Sequence, residues 1–267
     1  MRLMLLSDLH HRIDWFEWIA DQAADFDIVA IGGDLLNGFD GLLPQMEFVR
    51  NWADQMMVGC ACLALASGNH DGNHIGSSVR QLISETSLDA LSRRRLEAFA
   101  KTDRWMDVLA RPGRIVVDGV TDILTTENGE QLIVTCIPWD VSGEKELWEV
   151  GAQVRDQTNA PWLVLHHEAP GGTLVGGTMG NFPLFYHILE FHPAFVLSGH
   201  FHDQPYRKDG SFADHLEGTW CFNPGHPLRE GSAAPNHIIL DTKAGTAEWH
   251  GYDTANRCWQ KKEAVLS

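Results

Sequence analysis

Five clusters of side chains able to bind metal or move protons punctuate the first 202 residues. In order they are Asp8 with His10, Asp34, Asn69 with His70 and Asp71, His166 with His167, and His200 with His202. Carboxylate oxygen and imidazole nitrogen together suit zinc, iron or manganese, and magnesium alone less readily. Asp-x-His and His-x-His each set two side chains on the same side of an extended segment, so both reach one point. Gly32, Gly33, Gly68 and Gly199 adjoin the clusters and allow the backbone to turn closely around that point. Singly these signals are weak. A lone histidine at a strand end is usually structural, and Gly-Asn-His-Asp fits an ordinary turn. The joint order carries the argument.

Each cluster closes a short apolar run. Leu3 to Leu6 leads to Ser7-Asp8, Ile28 to Ile31 to Gly32-Gly33-Asp34, and Cys60 to Ala66 to Ser67-Gly68-Asn69. Trp162 to Leu165 leads to the histidine pair, and Phe195 to Leu197 to Ser198-Gly199-His200. Leu132 to Ile137, Cys221-Phe222 and Ile238 to Leu240 are further runs of this kind. Such runs, bounded by glycine and polar groups, predict buried strands. Helical spacing lies between them. Asp14 is expected as an N-cap with Glu17 at the reciprocal capping position, and Trp15, Trp18 and Ile19 form the apolar face. Residues 42–57 and 88–110 carry helical spacing, the second with Arg93, Arg94, Arg95, Glu97 and Lys101, making it the candidate cap over a site. Leu147, Val150 and Val154 predict another helix. Alternating strands and helices imply a layered α/β fold. Hairpins expected between 114 and 137 imply mixed sheets. With neither repeat nor linker, residues 1–267 are expected to form one domain.

Composition narrows the classes. Hydrophobic residues make up 44% and charged residues 21%, a globular balance. Twenty Lys and Arg against thirty-six Asp and Glu leave a net charge of −16. That argues against an extended nucleic-acid surface, which needs a basic face to displace counterions. A small anionic substrate is still compatible, because bound divalent cations reverse the local field. The five cysteines are scattered without a CxxC pair, as in a reduced compartment. The apolar stretch after Met1 is shorter than a secretory signal. No segment approaches the ~18 apolar residues of a membrane helix. The expectation is a cytoplasmic protein with no membrane partner.

The order of clusters resembles the calcineurin-like metallophosphoesterase family. Its signature runs Asp-x-His, Gly-Asp, Gly-Asn-His-Asp/Glu, a histidine after a strand, then Gly-His-x-His. Here the motifs read Asp8-Leu9-His10, Gly33-Asp34, Gly68-Asn69-His70-Asp71, His166-His167 and Gly199-His200-Phe201-His202. The likeness spans residues 5–202, and the Asn223-Pro224-Gly225 turn extends it. It implies a four-layer α/β/β/α sandwich with two mixed sheets and a two-metal site at the strand C-terminal ends. Asp8, His10, Asp34 and His202 would hold one ion. Asp34, Asn69, His200 and one of the adjacent histidines would hold the other, with Asp34 and a water or hydroxide bridging. Matching Ala169-Pro170 to the family's His-His-Ala-Pro ending selects His167 over His166. His70 would be the general acid or charge stabiliser, and Asp71 the carboxylate orienting its ring.

The implied activity is metal-dependent hydrolysis of a phosphomonoester or phosphodiester on a small substrate such as a nucleotide, with manganese, iron or zinc. A non-catalytic scaffold on the same fold, a nuclease and a protein phosphatase are the alternatives. Several residues are left between roles: His11 between narrowing the site or contacting phosphate and a packing or surface role, Arg12 between phosphate contact and surface, and His74, His187 and His226 between cleft mouth and structure. Gly171-Gly172 and Gly176-Gly177 lack the Lys-Ser/Thr of a P-loop and predict a flexible loop over the site. The ten tryptophans are expected mostly in the core. An exposed one could stack on a base, and nothing in the sequence selects it.

Overall fold

The strands follow the apolar runs closely. In the computed structural model, residues 1–38, 41–59, 62–72, 89, 104–139, 145–227, 232–253 and 256–266 are described. Strands β1 (Arg2–Leu6), β2 (Ile28–Gly32), β3 (Cys62–Ala66) and β4 (Ile115–Val117) run parallel. Beyond β1, the antiparallel β11 (His237–Asp241), β12 (Thr246–Asp253) and β13 (Cys258–Val265) complete a seven-stranded sheet. The second sheet holds β5 (Val120–Thr125), β6 (Gln131–Cys136), β7 (Trp162–Glu168), β8 (Phe195–Gly199), β10 (Thr219–Phe222) and β9 (Ala213–Leu216), in that order. Both sheets are mixed.

Alternation along the strands sorts the core into three layers of packing. Leu3, Leu5, Ile28 and Ala30 of the first sheet meet Leu163, Leu165, Leu197 and Phe222 of the second. The opposite faces, Met4, Leu6, Val29 and Ile31, pack against helices α1 (Ile13–Gln22) and α2 (Leu42–Gly59). Trp162, Val164 and Val196 pack against α3 (Lys145–Thr158) and α4 (Phe182–Phe191) through Trp148, Leu184 and Ile188. The result is a four-layer α/β/β/α sandwich. Among the described residues no helix is long and apolar enough to cross a membrane.

Local departures from the sequence reading have physical causes. Helix α1 starts at Ile13 with Arg12 as N-cap, and Asp14 does not cap it. Its carboxylate is instead held by the Arg12 guanidinium at 2.7 and 3.0 Å. Of the hairpins expected between 114 and 137, β5 and β6 form one, whereas β4 joins the other sheet, parallel to β3. Residues 90–103 of the candidate cap lie outside the described residues. Its end, Trp105–Leu109, is a 3-10 turn with Trp105, Met106 and Leu109 buried in the first helical layer. The loop after β7 is tied down: its Leu174 and Val175 carbonyls accept from Ser211 N–H and Gln204 Nε2 and from Asn223 Nδ2.

Candidate metal centre

The turns leaving β1 and β2 are laced together by backbone. Asp8, His10 and His11 donate N–H to the carbonyls of Gly33, Asp34 and Leu35 at 2.8–2.9 Å. That lacing forces unusual backbone. Asp8 (φ 58°), His10 (45°), Asp34 (54°) and His200 (64°) all occupy the left-handed region. For residues other than glycine this costs of order 1–3 kcal/mol each, and it persists only where surroundings over-determine it. Here strain falls on four of the seven expected ligands. The turn after β3 is pressed just as close: a Cβ on Gly68 would lie 2.1 Å from Asp34 Oδ1. Gly33, at φ +104°, likewise leaves room for the His167 ring, which a Cβ would meet at 2.4 Å.

All seven expected ligands converge. His202 Nε2 is 3.0 Å from Asp8 Oδ1 and 3.4 Å from His10 Nε2. His167 Nε2 is 3.2 Å from Asn69 Oδ1, 3.3 Å from Asp34 Oδ2 and 3.8 Å from Asp8 Oδ1. Asn69 Oδ1 in turn lies 3.0 Å from His200 Nδ1. Asp34 Oδ2 is buried without a hydrogen bond, with His10 Nε2 at 3.8 Å and His70 Nε2 at 3.9 Å as further neighbours. A carboxylate oxygen ringed by imidazole nitrogens and given no donor of its own has the chemistry of a donor set that could hold a cation. Among the described residues, three groups could hold a metal ion: Asp8–His10–His202, His10–Asp34–His70 and Asp8–Asp34–His167.

The two adjacent histidines part company by strand parity. His167 continues the Leu163–Leu165 face between the sheets, and its Nδ1 meets the Gly32 carbonyl at 2.8 Å. His166 continues the Trp162–Val164 face. Its Nδ1 is 3.0 Å from the Glu168 carbonyl, and its buried Nε2 has no hydrogen bond. Burial works against charge on His167, but the Asp34 and Asp8 carboxylates outweigh it and lift the ring to about 10. Burial lowers His166 to about 4. On Asp8, burial is outweighed by the His202 hydrogen bond and the His167 imidazole, which hold its carboxyl below the ordinary range.

Asp71 does not orient the His70 ring. Its carboxylate accepts from the backbone N–H of Gly68 (2.7 Å), Leu36 (2.7 Å) and Leu35 (3.2 Å), tying the β3 turn to the β2 turn. Burial and the nearby Asp34 charge push Asp71 up to about 8. His70 Nδ1 is buried without a hydrogen bond, and the ring meets His10 edge-on at 4.8 Å.

A model of the calcineurin-like phosphoesterase family matches residues 1–204. The chain belongs to that family. Comparison with curated proteins found no match. Among solved structures, TT1561 of Thermus thermophilus is 13% identical with a TM-score of 0.54, covering 98% of this chain and 97% of that one. Purple acid phosphatase PPD1 from yellow lupin (Lupinus luteus) seeds is also 13% identical, with a TM-score of 0.55, covering 100% of this chain and 54% of that one. At these identities the likeness concerns the fold.

Against the calcineurin-like signature, two residues at the site stand out as additions. His226 follows the Asn223-Pro224-Gly225 turn, and its ring lies 4.8 Å from His202 and 5.4 Å from His10. Its backbone N–H donates to the His202 carbonyl at 3.0 Å, and burial with the neighbouring His202 lowers the ring to about 4. Trp139, expected in the core, borders His200 at 5.0 Å and His167 at 5.3 Å. The missed signal was positional: β6 also ends on this edge, with tryptophan where other strands end in charge. The remaining histidines go elsewhere. His11 packs edge-on against Phe48 at 5.2 Å, and His187 lies beside Trp148 in the α3–α4 layer. Arg12 spends its guanidinium on Asp14 and the Trp15 ring. His74 lies outside the described residues.

Proposed function

We propose that this calcineurin-like phosphoesterase hydrolyses a phosphomonoester or phosphodiester of a small substrate at a two-metal centre. The observation that carries the reading is Asp34 Oδ2, buried, without a hydrogen bond, and within 4 Å of nitrogens from His10, His70 and His167. Asp8, His10, Asp34 and His202 would hold one divalent ion; Asp34, Asn69, His167 and His200 would hold the other. Such a pair of ions lowers the pKa of bound water and neutralises phosphoryl charge. Manganese, iron and zinc suit this mixture of oxygen and nitrogen donors.

The chain's own residues do the rest. Asp71 and the backbone lacing fix the turns, so the donors need little reorganisation when substrate arrives. His70 is the half-exposed imidazole beside Asp34, with a side-chain exposure of 34%. From Nε2 it delivers a proton to the leaving oxygen. The purified protein should contain stoichiometric metal and hydrolyse p-nitrophenyl phosphate or bis-p-nitrophenyl phosphate with added manganese. Neither metal nor manganese-stimulated hydrolysis would sink the reading and favour a non-catalytic scaffold.

A further inference from the structure

Ten tryptophans are distributed over this molecule, and their surroundings separate one from the rest. Trp15, Trp52, Trp105, Trp148, Trp162 and Trp249 are buried. Five of these six spend the indole N–H internally: Trp15 on Ser232 O, Trp52 on Phe16 O, Trp105 on Asp71 O, Trp162 on Thr135 Oγ1 and Trp249 on Pro224 O. Trp18 packs against His237, Trp220 against His215, and Trp259 against Tyr252, all away from the five clusters. Trp139 differs in where it sits, since Trp148 also leaves its indole N–H without a partner and Trp18 and Trp220 are also half-buried. It is half-buried, it borders two expected ligands, and among the described residues its indole N–H has no hydrogen-bond partner.

Its placement is braced. Trp139 follows Pro138 at the end of β6, and its backbone N–H donates to Ser67 Oγ at 3.3 Å, next to the turn that presents Asn69. The Ser67 N–H is itself held by the Asp118 carboxylate at 2.8 Å. The ring is tilted 48° to His200, meets His167 at 65°, and lies nearly parallel to His166 at 6.4 Å. An indole held half-buried at a polar site, with no described residue taking its N–H, offers a π-face for stacking and a donor for an acceptor on the stacked ring.

We propose that Trp139 is a specificity-determining residue, the platform on which the alcohol portion of the substrate stacks. It selects phosphoesters of alcohols that carry a planar aromatic ring, of which nucleosides are the natural class. This rests on the hydrolase reading above and names its substrate class. Base–aromatic stacking is worth enough to change relative turnover by roughly five- to a hundredfold.

The test compares two esters with the same leaving group: thymidine 5′-(p-nitrophenyl phosphate) and methyl p-nitrophenyl phosphate, both with the manganese-loaded protein. Wild type should prefer the thymidine ester. In Trp139→Leu that preference, read as the ratio of kcat/KM values, should fall roughly five- to a hundredfold, mainly through KM and with metal content retained. Trp139→Phe should recover most of it. A ratio unchanged in Trp139→Leu, or a wild type with no preference, overturns the platform while leaving the hydrolase reading standing. A wild type that hydrolyses p-nitrophenyl phosphate but neither diester overturns the platform alone, and one that hydrolyses none of the three overturns the hydrolase reading and this inference with it.

Discussion

Two pairs of histidines sit on strands or strand ends of this molecule and do opposite things. His237 and His250 face each other across β11 and β12, their rings parallel within 2° and 4.8 Å apart. One nitrogen of each is held by a near neighbour in the chain: His237 Nδ1 by the Pro235 carbonyl at 3.0 Å, His250 Nε2 by Glu248 at 2.5 Å. His10 and His202, by contrast, point Nε2 at Nε2 across 3.4 Å, with Asp8 and Asp34 beside them. The difference teaches that histidine number is a poor guide to a metal centre. What marks one is ring nitrogen aimed at another donor, next to a buried carboxylate oxygen that nothing else satisfies.

The largest effect that can break this contrast is at Asp34. Asp34→Asn keeps the shape but removes the charge shared by His10, His70 and His167. Changes around a metal ligand typically cost about 10–100-fold in affinity or activity, and loss of the shared ligand should exceed that range. Metal analysis and bis-p-nitrophenyl phosphate turnover should both fall by more than about a hundredfold. Retention of both would place the metal elsewhere.

A sharper cut separates two neighbours that are equally buried. His167→Ala should release metal, because its Nε2 reaches Asn69, Asp34 and Asp8. His166→Ala should retain metal and cost stability, because His166 lies on the helix-packed face beside Trp139. Metal content alone decides. Release from the His166 variant and retention in the His167 variant would reverse the assignment.

That pair also shows how much was legible beforehand. The strands and five clusters could be read because apolar runs and their polar ends survive any packing arrangement. The parity of His166 and His167 was in the sequence too, but not which face of β7 looks between the sheets. That depends on how the second sheet packs, through Leu163, Leu165 and Leu197. The role of Asp71 was misread for a similar reason: its partners Leu35 and Leu36 come from another strand's turn. Helix α4 and strands β9, β12 and β13 went unread, the last because β13, with the pattern CWQKKEAV, is largely exposed. Trp139 carried no signal until the fold placed β6 beside β7.

The smallest expected effect tests the other half of the contrast, that the β11–β12 pair is structural. Burial lowers His237 to about 4, below the ~6.5 of an unfolded chain; His250 stacks on it, the Glu248 carboxylate opposes the shift, and Trp18 and Trp259 cover it. As pH falls through about 6.5, the unfolded chain binds a proton that the folded chain refuses until about 4. The stability held above pH 6.5 is therefore lost on acidification, by roughly 2–3 kcal/mol between about pH 7.5 and 4.5. His237→Phe keeps the ring packing and removes the titration. Denaturant unfolding should show a shallower loss over that window in the variant than in wild type, with metal content equal in both at neutral pH. Equal slopes would mean that His237 takes up its proton without cost in the fold. Loss of metal in the variant would join this pair to the site it contrasts with.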